Sequence, residues 1–528
     1  MTTPTANAYD QIPYISHPFA QTHPNVVGAL AKLFGITPPP IHGCRVLELG
    51  CASGGNLIPM AMTMPDSTFL GIDLSERQIG QGKSLVSDLG LTNIELQHAD
   101  LASDDVVKGQ FDYIIAHGVF SWVPRHVQDR LLDICRDNLA PNGIAFVSYN
   151  TNPGWRMRSM IRDAMRYHAA QFAEPELQVR QARALIDFLA QNVPTENSPY
   201  GMLLKQELED MRKRGDWYLA HDHLEGVNDP VYFHEFIERT AAHGLQYLAD
   251  ADFKTMSARN YPPKVAETLR VIAPDLVRME QYTDFILNRT FRQSLLVHQA
   301  HRLQRKLDYR NAAGFCFQSR AVPVGTVTDI TTSKVEKFAL PGGATLGTPN
   351  PITKAAMLIL HERWPLGMYF EDLCLAARAR LDNASVVSAT PPLQADDARI
   401  LGADLIECFA AGIVEILLEP WPVGTLAGAA PRVSRLVRYQ AERGHEVTNL
   451  RHESLGIDEF NRQLIGLLDG TRSRDELVDA MVDKVNTKIL AIQREGKTVT
   501  DAAEVRALIT KAVDENVAQL ARVGLLDR

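Results

Sequence analysis

The sequence predicts an α/β fold in which a parallel sheet is covered by helices on both faces and a C-terminal α+β region follows. Three observations predict it: short apolar runs alternate with amphipathic stretches between residues 41 and 150, a glycine-rich turn follows the first run, and a helical pattern repeats beyond residue 350. Strands separated by helices are normally joined by right-handed crossovers, which makes neighbouring strands parallel. The first runs are short and apolar, which is typical of strands covered on both faces.

The elements follow from the apolar pattern in chain order. Strands are predicted over residues 45–49, 68–73, 93–96, 111–116 and 143–149, with helices over 56–64, 76–89 and 127–139. The stretch 155–225 has a helical pattern without a convincing strand and is predicted to be a helical insertion. The sheet is then completed by a helix over 231–243 that Gly244 caps, a strand over 245–249, a helix near 263–287 and a closing strand over 291–298.

These elements predict the domain organisation. Residues 1–154 and 226–300 form the core, 301–350 a connector and 351–528 a C-terminal domain. Within the last domain, segments near 355–414 and 460–526 share the order helix, turn, helix, and then a helix that ends in glycine before an apolar strand. This order is typical of winged-helix units, and its repetition predicts two of them.

Composition excludes several classes of protein. The 528 residues include 54 Lys and Arg against 63 Asp and Glu, a net charge of −9, so extensive contact with a nucleic-acid backbone is not expected. The six cysteines form no CxxC pair, which argues against a disulfide framework or a zinc knuckle. No apolar run approaches the roughly 18 residues of a membrane span, and no signal peptide is apparent. We therefore expect a cytoplasmic protein without membrane insertion, with a homodimer as one option for its oligomeric state.

The chemistry is predicted at the glycine turn, where the glycines follow the order G-x-x-x-G-G instead of the dinucleotide pattern G-x-G-x-x-G. Glu48 precedes this turn; its carboxylate would repel a pyrophosphate but can bind the ammonium of an amino-acid-like ligand. Asp73 ends the next strand, where it can accept both ribose hydroxyls, and Asp100 follows the third, where it can hold an adenine amine. Three carboxylates at successive strand ends favour S-adenosylmethionine (SAM). The alternatives are a nicotinamide cofactor, or helix caps without a ligand.

Several segments resemble a known family. The segment 46–56 resembles motif I of class I SAM-dependent methyltransferases, which implies a Rossmann-like core. The N-terminal residues Tyr9, Asp10, Tyr14 and 17–19, the loop ELGCASGGN, the segment SYNTNPGW (148–155) and residues 221–253 are similar to one subfamily. That subfamily carries a methyltransferase regulatory domain and includes the rickettsial outer-membrane-protein lysine methyltransferases.

The resemblance implies an enzyme that transfers methyl groups to lysine side chains of a protein acceptor. A small-molecule or natural-product methyltransferase is the first alternative, and a non-catalytic SAM-binding sensor or scaffold is the second. The expected cofactor-binding residues are Tyr14, Glu48, Gly50, Cys51, Ala52, Gly54, Asn56, Asp73, Leu74, Asp100, Leu101 and His117. Tyr9 and Tyr14 are expected to fold over the cofactor, unless they form only a surface strap.

Acceptor-contacting groups are expected in the loops after the fourth and fifth strands, beside the reactive methyl. The predicted catalytic residues are His117, Trp122, Tyr149 and Asn150. Tyr149 and Asn150 could orient an amine through their oxygens. Trp122 or Phe120 could line the channel of that amine and make a cation–π contact with it. His117 could take a proton. The alternatives are that the aromatic residues only pack and that His117 contacts cofactor or backbone.

Two further clusters of charged or histidine side chains are not predicted to bind a metal or DNA. His221, Asp222 and His223, with Glu225, His234 and Glu235, match no tight zinc spacing, so no metal is predicted. We expect these residues to close the acceptor channel or to cap the helix that begins near Pro230. Arg432, Arg435 and Arg438 fall on one helical face, where solvent or an acidic protein is favoured over DNA. Packing is the preferred role for Cys51.

Overall fold

The structure is a computed structural model that describes residues 14, 16–257, 260–327, 329–382, 395–424, 430–494 and 497–527. These residues form two units. The first contains Ile36–Ile58 and Pro65–Leu303 with the short segment that ends at His17. The second contains Pro18–Gly35, Pro59–Met64 and the chain from Gln304 onwards. Within the described ranges, no helix combines the length and apolar character that a membrane crossing requires.

The first unit is built on a seven-stranded sheet. Its strands are β1 (Arg45–Leu49), β2 (Thr68–Asp73), β3 (Ile94–His98), β4 (Phe111–Ala116), β5 (Leu139–Asn150), β6 (Leu245–Asp250) and β7 (Phe291–His298), in the spatial order β3-β2-β1-β4-β5-β7-β6. The pairs among β1 to β5 are parallel, as predicted. β7 runs antiparallel to both β5 and β6, so the whole sheet is mixed and not parallel throughout. The order reverses direction between β1 and β4, where ligands bind in open α/β sheets.

The helices are numbered in chain order. They are α1 (Pro24–Leu33), α2 (Leu57–Thr63), α3 (Glu76–Leu89), α4 (Arg125–Asn138), α5 (Gly154–Ala169), α6 (Pro175–Asn192), α7 (Pro199–Arg212), α8 (Phe233–Ala242), α9 (Pro263–Ile272), α10 (Leu276–Leu287), α11 (Pro351–Arg363), α12 (Phe370–Leu381), α13 (Ala395–Ala410), α14 (Arg435–Arg443), α15 (Glu459–Ile465), α16 (Arg474–Asn486) and α17 (Ala502–Arg522).

Local signals explain where helices begin and end. The Ser75 side chain accepts the Gln78 N–H at the start of α3, and Gly90, at φ +67°, ends this helix where the sequence predicts. The single helix predicted near 263–287 is wrong, because the structure has two helices there, α9 and α10. Pro274 stands between them and cannot continue a helix, while Asp275 caps α10.

The stretch predicted as a helical insertion contains α5, α6 and α7, followed by one turn of α-helix (Asp216–Tyr218) and a π-helical segment (Leu219–Leu224). Its helices bury an apolar cluster of their own, which includes Ile161, Met165 and Leu204. The domain boundaries drawn from the sequence stay a prediction.

The second unit is α+β. It contains a three-stranded sheet of β8 (Cys316–Gln318), β12 (Met368–Tyr369) and β13 (Glu415–Leu417), and another of β9 (Val322–Pro323), β10 (Glu336–Ala339) and β11 (Thr345–Thr348). Two hairpins follow, β14 (Glu446–Thr448) with β15 (Ser454–Gly456), and β16 (Gln493–Arg494) with β17 (Lys497–Thr498). Helices α14 to α17 enclose an apolar core that includes Val437, Leu477 and Ile509.

Candidate functional site

The glycine turn after β1 is held by its own backbone and by β2. Gly50, at φ +76°, donates its N–H to the Ile72 carbonyl at 2.7 Å, and a Cβ at this position would lie 2.3 Å from Val119 Cγ2. Gly54, at φ +80°, donates to the Cys51 carbonyl at 2.8 Å. Glycine is therefore required at Gly50 both by its conformation and by the loop that follows β4.

Glu48 lies at the bottom of this turn and is buried. Its Oε1 accepts a hydrogen bond from Asn56 Nδ2 at 2.8 Å, whereas its Oε2 is buried and has no partner among the described residues. Burial raises the pKa of Glu48 to about 8, with a further contribution from Asp73. An unpartnered buried oxygen carries a free-energy cost, which a donor group on a ligand would offset.

Asp73 connects the end of β2 to the glycine turn. Its Oδ2 accepts the Ala52 N–H at 2.8 Å, and its Oδ1 accepts the Ser75 N–H at 2.8 Å. Both bonds agree with the alternative in which Asp73 only caps backbone N–H groups and binds no ligand. A carboxylate oxygen can accept more than one donor.

The remaining residues expected near the cofactor lie around the same edge. Asp100 is exposed, and its Oδ1 accepts the Ala102 N–H at 2.8 Å. Leu74 is half exposed, whereas Leu101 is buried in the core cluster below the sheet. Burial raises the pKa of the Cys51 thiol, which keeps it protonated and agrees with a packing role.

A short strap, defined as Tyr14 and Ser16, lies against the glycine turn. Ser16 Oγ accepts the Gly55 N–H at 2.7 Å, and the Tyr14 carbonyl accepts Gln78 Nε2 at 2.7 Å. The Tyr14 ring meets the Trp217 ring edge-on at 4.9 Å between centroids. Tyr9 and Asp10, from the same motif, lie outside the described residues. Sequence reasoning missed Ser16 and Gln78, and their pairings across 39 and 64 residues leave no local signal.

His117 and Trp122 lie in the loop after β4. The His117 ring stacks on Phe146 at 5.7 Å between centroids and meets Phe291 at 6.1 Å. Burial lowers the pKa of His117 to about 4, so its imidazole is neutral near pH 7. Trp122 is partly exposed and contacts Trp155 edge-on at 6.0 Å, whereas Phe120 is completely buried. Of the two aromatic candidates, Trp122 is the one that an acceptor can reach.

The structure does not bring Tyr149 and Asn150 together. Consecutive strand residues point to opposite faces of a sheet. The Tyr149 ring stacks on Phe236 at 4.0 Å, its hydroxyl lies 3.1 Å from Ser294 Oγ, and it is 1% exposed. These contacts agree with the alternative in which Tyr149 only packs, because its hydroxyl is enclosed by core side chains. Burial also raises the pKa of that hydroxyl.

Asn150 faces the loops on the other side. Its N–H donates to Ser121 Oγ at 2.9 Å, and its Nδ2 donates to Asn228 Oδ1 at 3.0 Å. Nearby, Ser148 Oγ accepts the Gly118 N–H at 2.7 Å, which ties β5 to the loop after β4. Asn228 was not among the sequence-based candidates.

The structure also describes the histidine- and glutamate-containing cluster near residue 221 and the arginine cluster near residue 432. His221 and His223 are buried in the π-helical segment, and Glu235 caps α8 by accepting the Tyr232 N–H at 2.9 Å. The part of the chain that the structure describes holds no group of three or more His, Cys, Asp or Glu arranged to bind a metal. Arg432 forms an ion pair with Asp527 at 3.2 Å.

Three family models match parts of this chain. A methyltransferase domain matches residues 46–143, a predicted methyltransferase regulatory domain matches 215–298, and the C-terminal winged helix domain of PKMT matches 430–525. The last match covers the second of the two winged-helix units predicted from the sequence, and the first unit stays a prediction.

Two of the following relatives resemble the chain over nearly its whole length, and one resembles less than half of it. The uncharacterized protein RP789 of Rickettsia prowazekii is 36% identical over 507 residues, which cover 95% of this chain and 90% of that protein. The uncharacterized protein RP028 of the same organism is 39% identical over 232 residues, 44% of this chain and 93% of that protein. Among solved structures, PKMT2 from Rickettsia typhi in complex with S-adenosylhomocysteine (AdoHcy) has a TM-score of 0.86 at 32% identity and covers 97% of this chain and 100% of its own.

Proposed function

Because this chain belongs to the SAM-dependent methyltransferase family that includes PKMT2 from Rickettsia typhi, we propose that it transfers methyl groups from SAM to lysine side chains of a protein acceptor. The observation that carries the acceptor assignment is the extent of the likeness to PKMT2. It includes the C-terminal winged helix domain and is not confined to the methyltransferase domain. The name PKMT abbreviates protein lysine methyltransferase.

The residues at the edge of the sheet fit SAM. Glu48 Oε2 is a buried oxygen that no described residue partners, and it would accept the ammonium of the methionine part. Asp73 stands at the end of β2 beside the glycine turn, where its carboxylate would accept the ribose hydroxyls. Asp100 lies exposed at the end of the next strand, where it would hold the adenine amine. When bound, SAM supplies a methyl group on a positively charged sulfur.

The main contribution of the protein to the reaction would be to align the acceptor nitrogen with the methyl group. Transfer is an in-line displacement, so the acceptor nitrogen must be unprotonated and held in line with the methyl. A lysine ammonium has a pKa of about 10.4, and His117, with a pKa near 4, is too weak a base to take its proton effectively. We assign this proton to water. Asn150 would orient the amine, and the partly exposed Trp122 would line its path.

The site of the reaction is proposed to be the cytoplasm. The six cysteines are free and buried, which suits a reducing compartment.

The test is to incubate the purified protein with tritium-labelled SAM and a lysate of the organism that encodes it, and to separate proteins from small molecules. Labelled methyl-lysine after hydrolysis of the protein fraction is the expected result, and Asp73→Ala serves as the matched control with reduced labelling. Label only in small molecules would favour the metabolite alternative. AdoHcy binding without labelled product would favour a sensor or scaffold, and either result would overturn the proposal.

A further inference from the structure

The orientation of the Asn150 amide is determined by its neighbours. Asn150 lies at the end of β5 and is 4% exposed. Its backbone is held on both sides, since its N–H donates to Ser121 Oγ at 2.9 Å and its carbonyl accepts the Val231 N–H at 3.2 Å. Its side-chain nitrogen donates to Asn228 Oδ1 at 3.0 Å. With Nδ2 committed in this way, Oδ1 is the atom that can receive a donor from an incoming group.

Asn228 is itself held in place by the segment around it. The Asp229 N–H donates to the Ser121 carbonyl at 2.8 Å, and this backbone bond does not depend on the Asp229 side chain. The next residues pair with the end of β5, because Val231 accepts the Asn152 N–H at 3.1 Å and the Thr151 hydroxyl at 2.8 Å. The segment therefore presents Asn228 to Asn150 in one position.

We propose that Asn228 is a positioning residue, which fixes the Asn150 amide with Oδ1 available to the acceptor and thereby selects acceptors that donate an N–H. The inference rests on the proposed function of the site. A flipped amide would present its NH₂ group, which suits a carboxylate and repels the hydrogens of an amine. The orientation of one amide thus distinguishes an amine, which carries an N–H donor, from a carboxylate, which carries no donor.

The chemical step is consistent with this arrangement. Once water has taken one ammonium proton, a remaining N–H donates to Asn150 Oδ1 and the nitrogen lone pair attacks the methyl carbon. The N–C bond forms while the C–S bond breaks, and sulfur keeps the electron pair, so that AdoHcy leaves. An acceptor without an N–H would lose the contact that orients it.

The experiment compares variants at the two positions. The rate of methyl-lysine formation is measured at limiting lysate protein, and the Kd for AdoHcy is measured beside it. Asn228→Ala is expected to lower the rate at least tenfold, with the Kd for AdoHcy unchanged within twofold. Asn228→Asp keeps an acceptor for Asn150 Nδ2 and is expected to stay within threefold of the wild-type rate. The matched control is Asp229→Ala, which removes the bond from Gln128 Nε2 at 3.3 Å but keeps the backbone bonds that hold the segment, and it should also stay within threefold.

A double variant distinguishes orientation from mere support of the fold. In Asn150→Asp both side-chain oxygens can accept, so the orientation no longer matters, and adding Asn228→Ala should change the rate by less than twofold. The proposal is overturned if Asn228→Ala keeps the wild-type rate, if Asn228→Asp or Asp229→Ala falls as far as Asn228→Ala, or if the loss persists in the Asn150→Asp background. If the wild-type protein forms no methyl-lysine, the proposed function fails first, and that result is distinct from all of these.

Discussion

The affinity for AdoHcy should rise with pH between 6 and 8, and Glu48→Gln should abolish this dependence. Burial raises the pKa of Glu48 to about 8, so the free protein carries a neutral carboxyl group at pH 6. The ammonium of the ligand prefers the carboxylate, whose Oε2 has no partner in the described structure. Binding therefore has to release the Glu48 proton, and this release becomes easier as the pH rises.

The size of the effect follows from that pKa. Ionising a carboxyl group with a pKa of about 8 costs ~1.4 kcal/mol for each pH unit below that value. At pH 6 the cost is about 3 kcal/mol, which corresponds to an affinity roughly a hundredfold weaker than that above pH 8. The amide of Glu48→Gln cannot ionise, so its affinity should be weaker at pH 8 and nearly constant over the same range.

Calorimetric titration with AdoHcy at pH 6, 7 and 8 tests this, in buffers of different ionisation enthalpy that report the proton released. Nearly one proton should be released at pH 6 by the wild type and none by the variant. An equal Kd at pH 6 and pH 8 for the wild type, or the same pH dependence in Glu48→Gln, would refute the assignment of Glu48 to the ammonium.

The raised pKa of Glu48 can also be tested by measuring the stability of the protein without ligand. The folded state keeps the Glu48 proton up to about pH 8, whereas the unfolded chain loses it near pH 4.3. The unfolded state is therefore favoured increasingly as the pH rises between these values, and the free energy of unfolding falls. The Tm of Glu48→Gln relative to the wild type should rise from pH 5 to pH 8, and a constant difference would place Glu48 in a more polar environment.

Three further changes test other parts of the site and its support. Asp73→Ala should weaken AdoHcy binding by about 1–3 kcal/mol in calorimetry, because a charged acceptor is lost, and an unchanged Kd would contradict the ribose assignment. Gly55→Ala would place a Cβ 2.4 Å from the Ser16 carbonyl oxygen, so it should displace the strap and weaken AdoHcy binding at least tenfold. Gly80→Ala, whose Cβ meets nothing within 4 Å, is the control and should leave the Kd for AdoHcy unchanged. Equal Kd values for the two variants would show that the strap has no role in binding. Arg292→Met should lower the free energy of unfolding by about 3–5 kcal/mol in urea titrations, because Arg292 forms ion pairs with the buried Glu280 at 3.0 Å and Asp284 at 2.8 Å. Asp284 keeps Arg289 as a second partner at 3.0 Å, and a loss below about 1 kcal/mol would count against a stabilising role of the Arg292 ion pairs.

The fold could be predicted where local pattern and tertiary burial agree. β1, β2, β4 and α3 have the predicted bounds. In β1, for example, the apolar residues Val46, Leu47 and Leu49 lie before a glycine turn and are buried in the sheet. The direction of β7 could not be predicted, since an apolar run carries no information about whether its partner is parallel. The break between α9 and α10 carried a signal in Pro274, which the helical pattern on both sides of it concealed.

The site divides in the same way. Glu48 and Asp73 could be selected from the sequence because Glu48 precedes the glycine turn and Asp73 ends the next strand, and both lie at the same edge of the sheet. Their part in binding SAM stays a prediction. Asn228, Ser16 and Gln78 were missed because their partners are 78, 39 and 64 residues away, and nothing in a single sequence pairs such positions.

Strand alternation, applied to Tyr149 and Asn150, limits the chemistry of the acceptor side. Two consecutive residues of β5 cannot orient the same amine, and the stacking of Tyr149 on Phe236 leaves Asn150 as the residue that faces the loops. The other predicted groups on this side are the indole of Trp122 and an imidazole with a pKa near 4. None of these three side chains changes its charge between pH 5 and pH 9. On the proposed function, a protein acceptor would therefore arrive with an amine that water has already deprotonated, and these side chains would contribute to the rate by holding one N–H and keeping the lone pair in line with the methyl.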